Sequence, residues 1–466
     1  MSADSQTRDG QTMKEGSLGA PVRHPLDWNN PDFYDLEKLE AEERRVFDIC
    51  HGCRRCFNLC DSFPRLFDLI DNGPTGEVDG VKVEDYAQVE EACTLCDMCF
   101  MTKCPYVPPH EWNVDFPHLM LRYRAVHAKK DGTAFTETQL AETDRNGHLA
   151  GMAASVTNWA TDEQNKTARA ALERLGGIHH GARLPRYAGE TFQIRAAREG
   201  VQLNEAAPAY GKRKAVLYAT CFVNFNNTDI GSAARAVLAK NGVETEVVYP
   251  GCCAMPKLEL GDIESVAGAA RSVSAELLKW VDKGYDVIAL TPSCALMLKF
   301  EWPLIVPESA DVKRLSQATF DLSEYVVDIA KKHGLAPGLE PLAGGVTVHL
   351  ACHARAQNMG AKAAEMLRLV PDTRVAVVER CSGHGGIWGT RTENFDIAVK
   401  VGKPAALAAL RNKTSFVASE CPLAAEHLMQ IMEMQVTDTA GGESEPKPFR
   451  ADHPIELLAR AYGVEK

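Results

Sequence analysis

The chain lacks any long apolar run. No window holds 18 consecutive apolar residues, so the sequence offers no helix able to span a membrane. Residues 1–25, MSADSQTRDGQTMKEGSLGAPVRHP, contain no apolar h-region, so no secretory signal is read there. The expected location is therefore the cytoplasm, with peripheral attachment to the inner face of a membrane through a partner left open. Positive charge is also short: 51 Lys and Arg stand against 63 Asp and Glu, a net charge of −12. Non-specific nucleic-acid binding needs basic surface, so nucleic acid is not an expected partner. A dinucleotide fingerprint is missing too. The glycines at 383, 385, 386 and 389 miss the G-x-G-x-x-G spacing that brings backbone amides onto a pyrophosphate. What remains is globular in composition, 45% hydrophobic and 24% charged over 466 residues, a length of about three domains.

Against these absences stand 15 cysteines. In a reducing compartment, clustered cysteines bind metal or do redox work more often than they pair as disulfides. Eight fall in two runs: Cys50-x2-Cys53-x2-Cys56-x3-Cys60, and Cys93-x2-Cys96-x2-Cys99-x4-Cys104-Pro105. A C-x2-C-x2-C turn wraps three thiolates around one face of a cubane iron–sulfur cluster, and the fourth cysteine of such a run normally ligates the other cluster. On that logic Cys50, Cys53, Cys56 and Cys104 hold one [4Fe-4S] cluster, and Cys93, Cys96, Cys99 and Cys60 hold a second. Structural zinc is the alternative, but it takes separated ligand pairs rather than three close thiolates plus a fourth. The first run has Asp61 where proline is usual, and the second has one extra residue before its last cysteine. The gap from Cys60 to Cys93 is too long for a compact bacterial ferredoxin. With helical patterning on either side of the runs, it points to an all-helical scaffold over 45–125. Residues 1–44 read as a polar, loosely ordered segment, and 126–213, without cysteine, as a helical and irregular connector.

The second half repeats itself. Strand-like segments at 214–220, 245–250 and 286–291 alternate with helical patterns and lead into Cys221, the Cys252–Cys253 pair and Cys294. Segments at 346–351, 374–379 and 415–419 lead into Cys352, Cys381 and Cys421. Matching cysteines are offset by 131, 129 and 127 positions, which argues for duplication into two α/β units, 214–335 and 345–466. Apolar strands alternating with amphipathic helices predict parallel sheets. Each cysteine would then lie past a strand's C-terminal end, where open α/β sheets place ligands. The fold class is thus α+β multidomain: a helical ferredoxin-like domain, then two cysteine-rich α/β repeats. The C-terminal cysteines are candidates for a further iron–sulfur or other metal centre; the alternative is a set of buried, inert thiols. Cys221, Cys252, Cys253 and Cys294 form the fuller set. Cys352, Cys381 and Cys421 need a further ligand; His353 and His384 lie close in sequence, with His384 the candidate, and the alternative is a decayed site that keeps only its fold. Met297 and His427 read as helix-face residues, and 437–449 as a loop insertion.

With ATCFVNFN (219–226), PGCCAMP (250–256), HLACHARAQNMG (349–360), CSGHGGIWGTRTENF (381–395) and HPIELLARA (453–461) in hand, the chain resembles a known family. It looks like the C subunit of anaerobic glycerol-3-phosphate dehydrogenase and the related heterodisulfide reductase iron–sulfur proteins. The resemblance covers about 45–125 and 214–466. It implies two [4Fe-4S] cubanes and two α/β domains of the CCG, or cysteine-rich, type. In heterodisulfide reductases, complete copies of that motif hold non-cubane clusters at which a disulfide is split. This chain departs from the full C…CCG…CxxC pattern. Ala254 stands for the glycine, Met297 for the last cysteine of the first copy, Ser382 follows Cys381, and Ala424 lies three residues after Cys421. A serine hydroxyl is a poor substitute for a soft thiolate. The expected function is that of an iron–sulfur electron-transfer subunit, with a flavin dehydrogenase, a quinone-linked complex or a rubrerythrin-like iron protein as the redox partner. The alternatives are a thiol/disulfide reductase centred on Cys221, Cys252, Cys253 and Cys294, or an iron–sulfur redox sensor.

Overall fold

The N-terminal helices form because their apolar residues fall on single stripes. In α1 (Leu36–Cys53) the buried positions are Leu39, Glu43, Val46 and Phe47, spaced to share one face. The Asp35 side chain caps its start by accepting the Lys38 N–H at 3.0 Å. In α2 (Ser62–Asp71) the stripe is Phe63, Leu66, Phe67 and Ile70. Helix α3 (Phe116–Asp131) opens with Pro117 behind the capping carboxylate of Asp115. The three meet at Phe116, whose ring lies 6.1 Å from that of Phe47 and 4.7 Å from that of Phe63. A computed structural model describes residues 7–8, 11–12, 21–439 and 450–465. The expected loose segment departs from this structure from residue 21 on. The chain there is pinned to the fold by Leu26, whose N–H reaches the Leu304 carbonyl at 2.9 Å, and by the half-buried Arg23, which reaches Asp97.

The connector is a run of short helices, among them α4 (Thr143–Met152). Beyond it come two parallel sheets. The first uses β1 (Lys214–Tyr218), β2 (Glu244–Val248), β3 (Asp286–Ala289) and β4 (Thr319–Asp321) in the order β2-β1-β3-β4. The second uses β5 (Val346–His349), β6 (Val375–Val378) and β7 (Phe416–Ser419) in the order β6-β5-β7. Ala215 pairs with Thr245 on one side and Asp286 on the other; Val346 pairs likewise with Val375 and Phe416. Each sheet thus has its first strand in the middle, with the chain leaving first to one side and then to the other. Such a reversal opens a crevice at the strands' C-terminal ends.

Successive residues of β1 serve opposite faces. Val216 and Tyr218 join the core that includes the N-terminal helices, while Ala215 and Leu217 join the core shared with the second sheet. Long helices cover the sheets: α5 (Ile263–Val281) in the first repeat, α6 (Phe395–Asn412) and α7 (Pro422–Thr439) in the second. Strand β4 is absent from the expectation because three residues, Thr-Phe-Asp, are too few to show an alternation. The expected loop at 437–449 starts too early, since α7 runs through Thr439; positions 440–449 lie outside the described residues.

Candidate functional site

The eight thiols of the two N-terminal runs gather in fours that cross between the runs. Burial pushes the Cys50 thiol well above its usual range, and the next contributions come from Cys104, Cys56 and Cys53. Cys50, Cys53, Cys56 and Cys104 line one small recess, with Phe63, Phe67 and Tyr106 behind them. Cys60 is likewise pushed up by burial, then by Cys96 and Cys93. Cys99 is raised by burial, then by Cys96 and Cys93, with smaller contributions from Cys56 and Cys60. Among the described residues no three thiols lie within 4.8 Å of one another. A single zinc draws its sulfurs to about 3.8 Å apart. The wider spacing fits a polynuclear cluster, whose positive charge is what such crowded thiols need in order to ionise.

The backbone is bent to make these nests. Arg54, Leu95 and Asp97 adopt left-handed φ values of 51°, 48° and 63°, and beside the later cysteines Thr220 and Ala254 do the same at 59° and 63°. None is a glycine, so each carries local strain, which proteins concentrate at functional sites.

The C-terminal cysteines lie at the strand ends. Cys221 follows β1, Cys252 and Cys253 follow β2, and Cys294 follows β3. The Sγ atoms of Cys221 and Cys252 are 3.9 Å apart. Cys252 is the one thiol held well below its usual range, by hydrogen bonds from Cys221, then Cys253, and by the Ala254 N–H at 3.3 Å. Cys253 is linked in turn to Cys294. The structure thus brings the whole first set together. In the second set, burial raises the Cys352 thiol, followed by Cys96, Cys381 and Cys421. Cys421 in turn feels Cys294. The two repeats and the second N-terminal run therefore share one neighbourhood, a cleft of about 1530 Å³ whose walls include Cys60, Cys96, Cys221, Cys253, Cys294, Cys352, Cys381 and Cys421. Gly385 is needed there: it sits at φ +57° with a built Cβ only 2.7 Å from Thr94 Cγ2, so only a glycine lets the 381–389 loop rest on the second run.

His384 also lines the cleft, with its ring 6.1 Å from that of His427. Burial and then His427 push His384 down to about 3; burial alone takes His427 to about 4, although its ring donates to the Ala398 carbonyl. Both imidazoles are neutral at pH 7, and the Nε2 of each is buried without a partner. The helix-face reading of His427 thus misses its place on the cleft wall, and nothing in the spacing pairs it with His384 across 43 positions. His353 Nδ1 sits 2.8 Å from Ser293 Oγ, joining the residues next to Cys352 and Cys294. Sequence reading also overlooked Thr143 and Asp144, which α4 brings from the connector to the first set; Asp144 Oδ2 accepts the Cys252 N–H at 3.1 Å.

Residues 215–299, which contain the entire first set, match the family model described as a cysteine-rich domain, CCG. The chain is 26% identical over 325 residues to the C subunit of anaerobic glycerol-3-phosphate dehydrogenase from Escherichia coli (strain K12), covering 69% of this chain and 76% of that protein. The chain is a relative of that dehydrogenase component. Other relatives are named lactate utilization protein A. The one from Geobacillus kaustophilus is 28% identical over 193 residues, and the one from Bacillus cytotoxicus 26% over 190; each match covers 38% of this chain and 75% of the relative. The cysteine-rich match and the similarity to a dehydrogenase subunit support an iron–sulfur role of the oxidoreductase kind. None of its helices is long and apolar enough to cross a membrane among the described residues. Its Ala254, standing where the family motif has glycine, keeps the glycine conformation at φ +63°.

Proposed function

We propose that this chain relays single electrons between a partner oxidoreductase and a centre at its C-terminal cysteines. Two [4Fe-4S] clusters would sit on Cys50, Cys53, Cys56 and Cys104, and on Cys93, Cys96, Cys99 and Cys60. The observation that supports this best is the exchange of fourth thiols, Cys104 lying with the first run and Cys60 with the second. Clusters bound there would take up and release one electron each. The protein's own part is to bury the thiols and fix their order in space. That order runs from the first run to the second, then by Cys96 to Cys352 and Cys381, then by Cys421 to Cys294. A third centre would rest on Cys221, Cys252, Cys253 and Cys294. A flavin dehydrogenase, a quinone-linked complex or a rubrerythrin-like protein each fits as the partner.

Iron and sulfide analysis with EPR, on anaerobically prepared wild type and Cys253→Ser, tests this. Two cubanes alone account for about eight irons. A higher count that falls in Cys253→Ser supports the third centre, while protein that stays free of iron after reconstitution overturns the relay. A second reading has one observation in its favour. The Cys252 thiol, held below its usual range by its sulfur neighbours, lies 3.9 Å from Cys221, the arrangement of a dithiol able to exchange with a substrate disulfide. Turnover of low-molecular-weight disulfides by cluster-replete protein would favour it over the relay.

A further inference from the structure

Helix α4 belongs to the connector, yet its first two residues reach the first sulfur site. Asp144 accepts the Cys252 N–H with one carboxylate oxygen and the Tyr249 hydroxyl with the other. Thr143 is the less expected neighbour. Its Oγ1 is fully buried and has no partner at ordinary hydrogen-bond distance, yet Thr143 lines the same cleft wall as Cys221 and lies close enough to the sulfurs of Cys221 and Cys252 to lower both thiols. The approach is built in. Gly147, one turn further on, lies so close to the Phe225 ring that an added Cβ would fall 2.4 Å from it. The missing side chain lets α4 rest on the short helix that opens at Cys221.

A buried hydroxyl without a partner costs free energy. That cost is relieved when a nearby sulfur becomes a charged acceptor, as it does on binding metal. From this geometry we infer that Thr143 is a positioning residue, whose hydroxyl donates to a ligand sulfur of the centre at Cys221, Cys252, Cys253 and Cys294 and so raises that centre's reduction potential. The physical reason is charge. Reduction adds an electron to a cluster already rich in negative sulfur, and a donor aimed at sulfur favours the more negative state. The inference deepens the proposed function and rests on its reading that the first set holds a centre.

The test is an EPR-monitored redox titration of full-length wild type, Thr143→Val and Thr143→Ser, with iron counted in each. Valine keeps the shape and removes the donor; serine keeps the donor. Thr143→Val is expected to lower the midpoint of the third centre so that its reduced-to-oxidised ratio at a fixed potential falls about tenfold, which is 59 mV for one electron. Thr143→Ser should stay with wild type, and the cubane midpoints and iron content should not move. The inference is overturned if Thr143→Val keeps its third centre at the wild-type midpoint, or if serine shifts it as far as valine does. Wild type with about eight irons, none lost in Cys253→Ser, removes the third centre and the role of Thr143 together; a third centre with an unmoved midpoint removes only the latter.

Discussion

At the scale of single residues, the sulfur sites are marked by strain as much as by cysteine. Ala254 carries a side chain at φ +63°, a conformation that costs an ordinary L-residue about 1–2 kcal/mol and glycine almost nothing. Ala254→Gly is therefore expected to stabilise the protein by about 1 kcal/mol, read as a higher thermal midpoint. Its absorption spectrum should match wild type, because the thiols on either side keep their places. The exchanged thiols make a second residue-scale prediction. Cys60→Ser should empty the group at Cys93, Cys96 and Cys99 and spare the other, and Cys104→Ser should do the reverse. Each variant would keep about four of the eight cubane irons. If Cys104→Ser instead loses the signal of the second cluster, the crossed assignment is wrong.

Secondary-structure elements carry their own chemistry where α1 meets the short helix Ala87–Glu90. Glu43 on the first and Glu90 on the second are both buried, and burial, followed for Glu90 by the charge of Glu43, pushes both carboxyls well above their ordinary value of 4.5. An acid whose folded value is raised favours the fold while it is protonated in both states, below its unfolded value. That advantage is lost as pH rises above it. Glu90→Gln should accordingly change stability little at pH 4.5 but add about 1–3 kcal/mol at pH 8, the cost of an imperfectly paired buried group. Denaturant unfolding at the two pH values would show it, and an equal effect at both would refute the argument. The elements themselves were largely visible in the sequence. The strand at 214–220 announces itself as an apolar run ending in cysteine, as a strand buried on both faces does; the one at 346–351 keeps that signal even with Thr347 and His349 buried in it. Strand β4, at three residues, leaves no such trace.

For the molecule as a whole, Arg23 is the rivet. Its guanidinium reaches Asp97 at 2.7 Å, Asp115 at 2.8 Å and Glu301 at 3.0 Å, and His118 Nε2 meets the second oxygen of Glu301 at 3.1 Å. One side chain thus ties the second cysteine run, the cap of α3 and the turn before Trp302. Replacing Arg23 by Met would leave the buried carboxylates of Asp97 and Glu301 and the half-buried one of Asp115 without this cation and should cost about 3–5 kcal/mol, seen as a lower denaturant midpoint. Burial opposes the charge on Asp115 and Glu301, yet Arg23 holds the first below its ordinary 3.8, and His118 with Arg23 holds the second below 4.5. Their contribution is therefore complete above those values and is lost as pH falls through the lower folded ones. Arg23→Met should be less sensitive than wild type to acid in that window. This network could not be read from the sequence, since its members are spread from 23 to 301 and only folding brings them together. The same holds for Thr143 at the first sulfur site and for His427 beside His384. Spacing exposes a ligand set when its members are close along the chain or repeat at a fixed interval, as the cysteines do.

The crossing of the fourth thiols also bears on biosynthesis. Cys104 is made 48 residues after Cys56, which at about 5–20 residues per second is roughly 2–10 s of translation. On the proposed assignment, the nascent chain would offer through that interval an incomplete three-sulfur nest and a spare Cys60, and permanent iron delivery would wait until the ribosome has passed the second run.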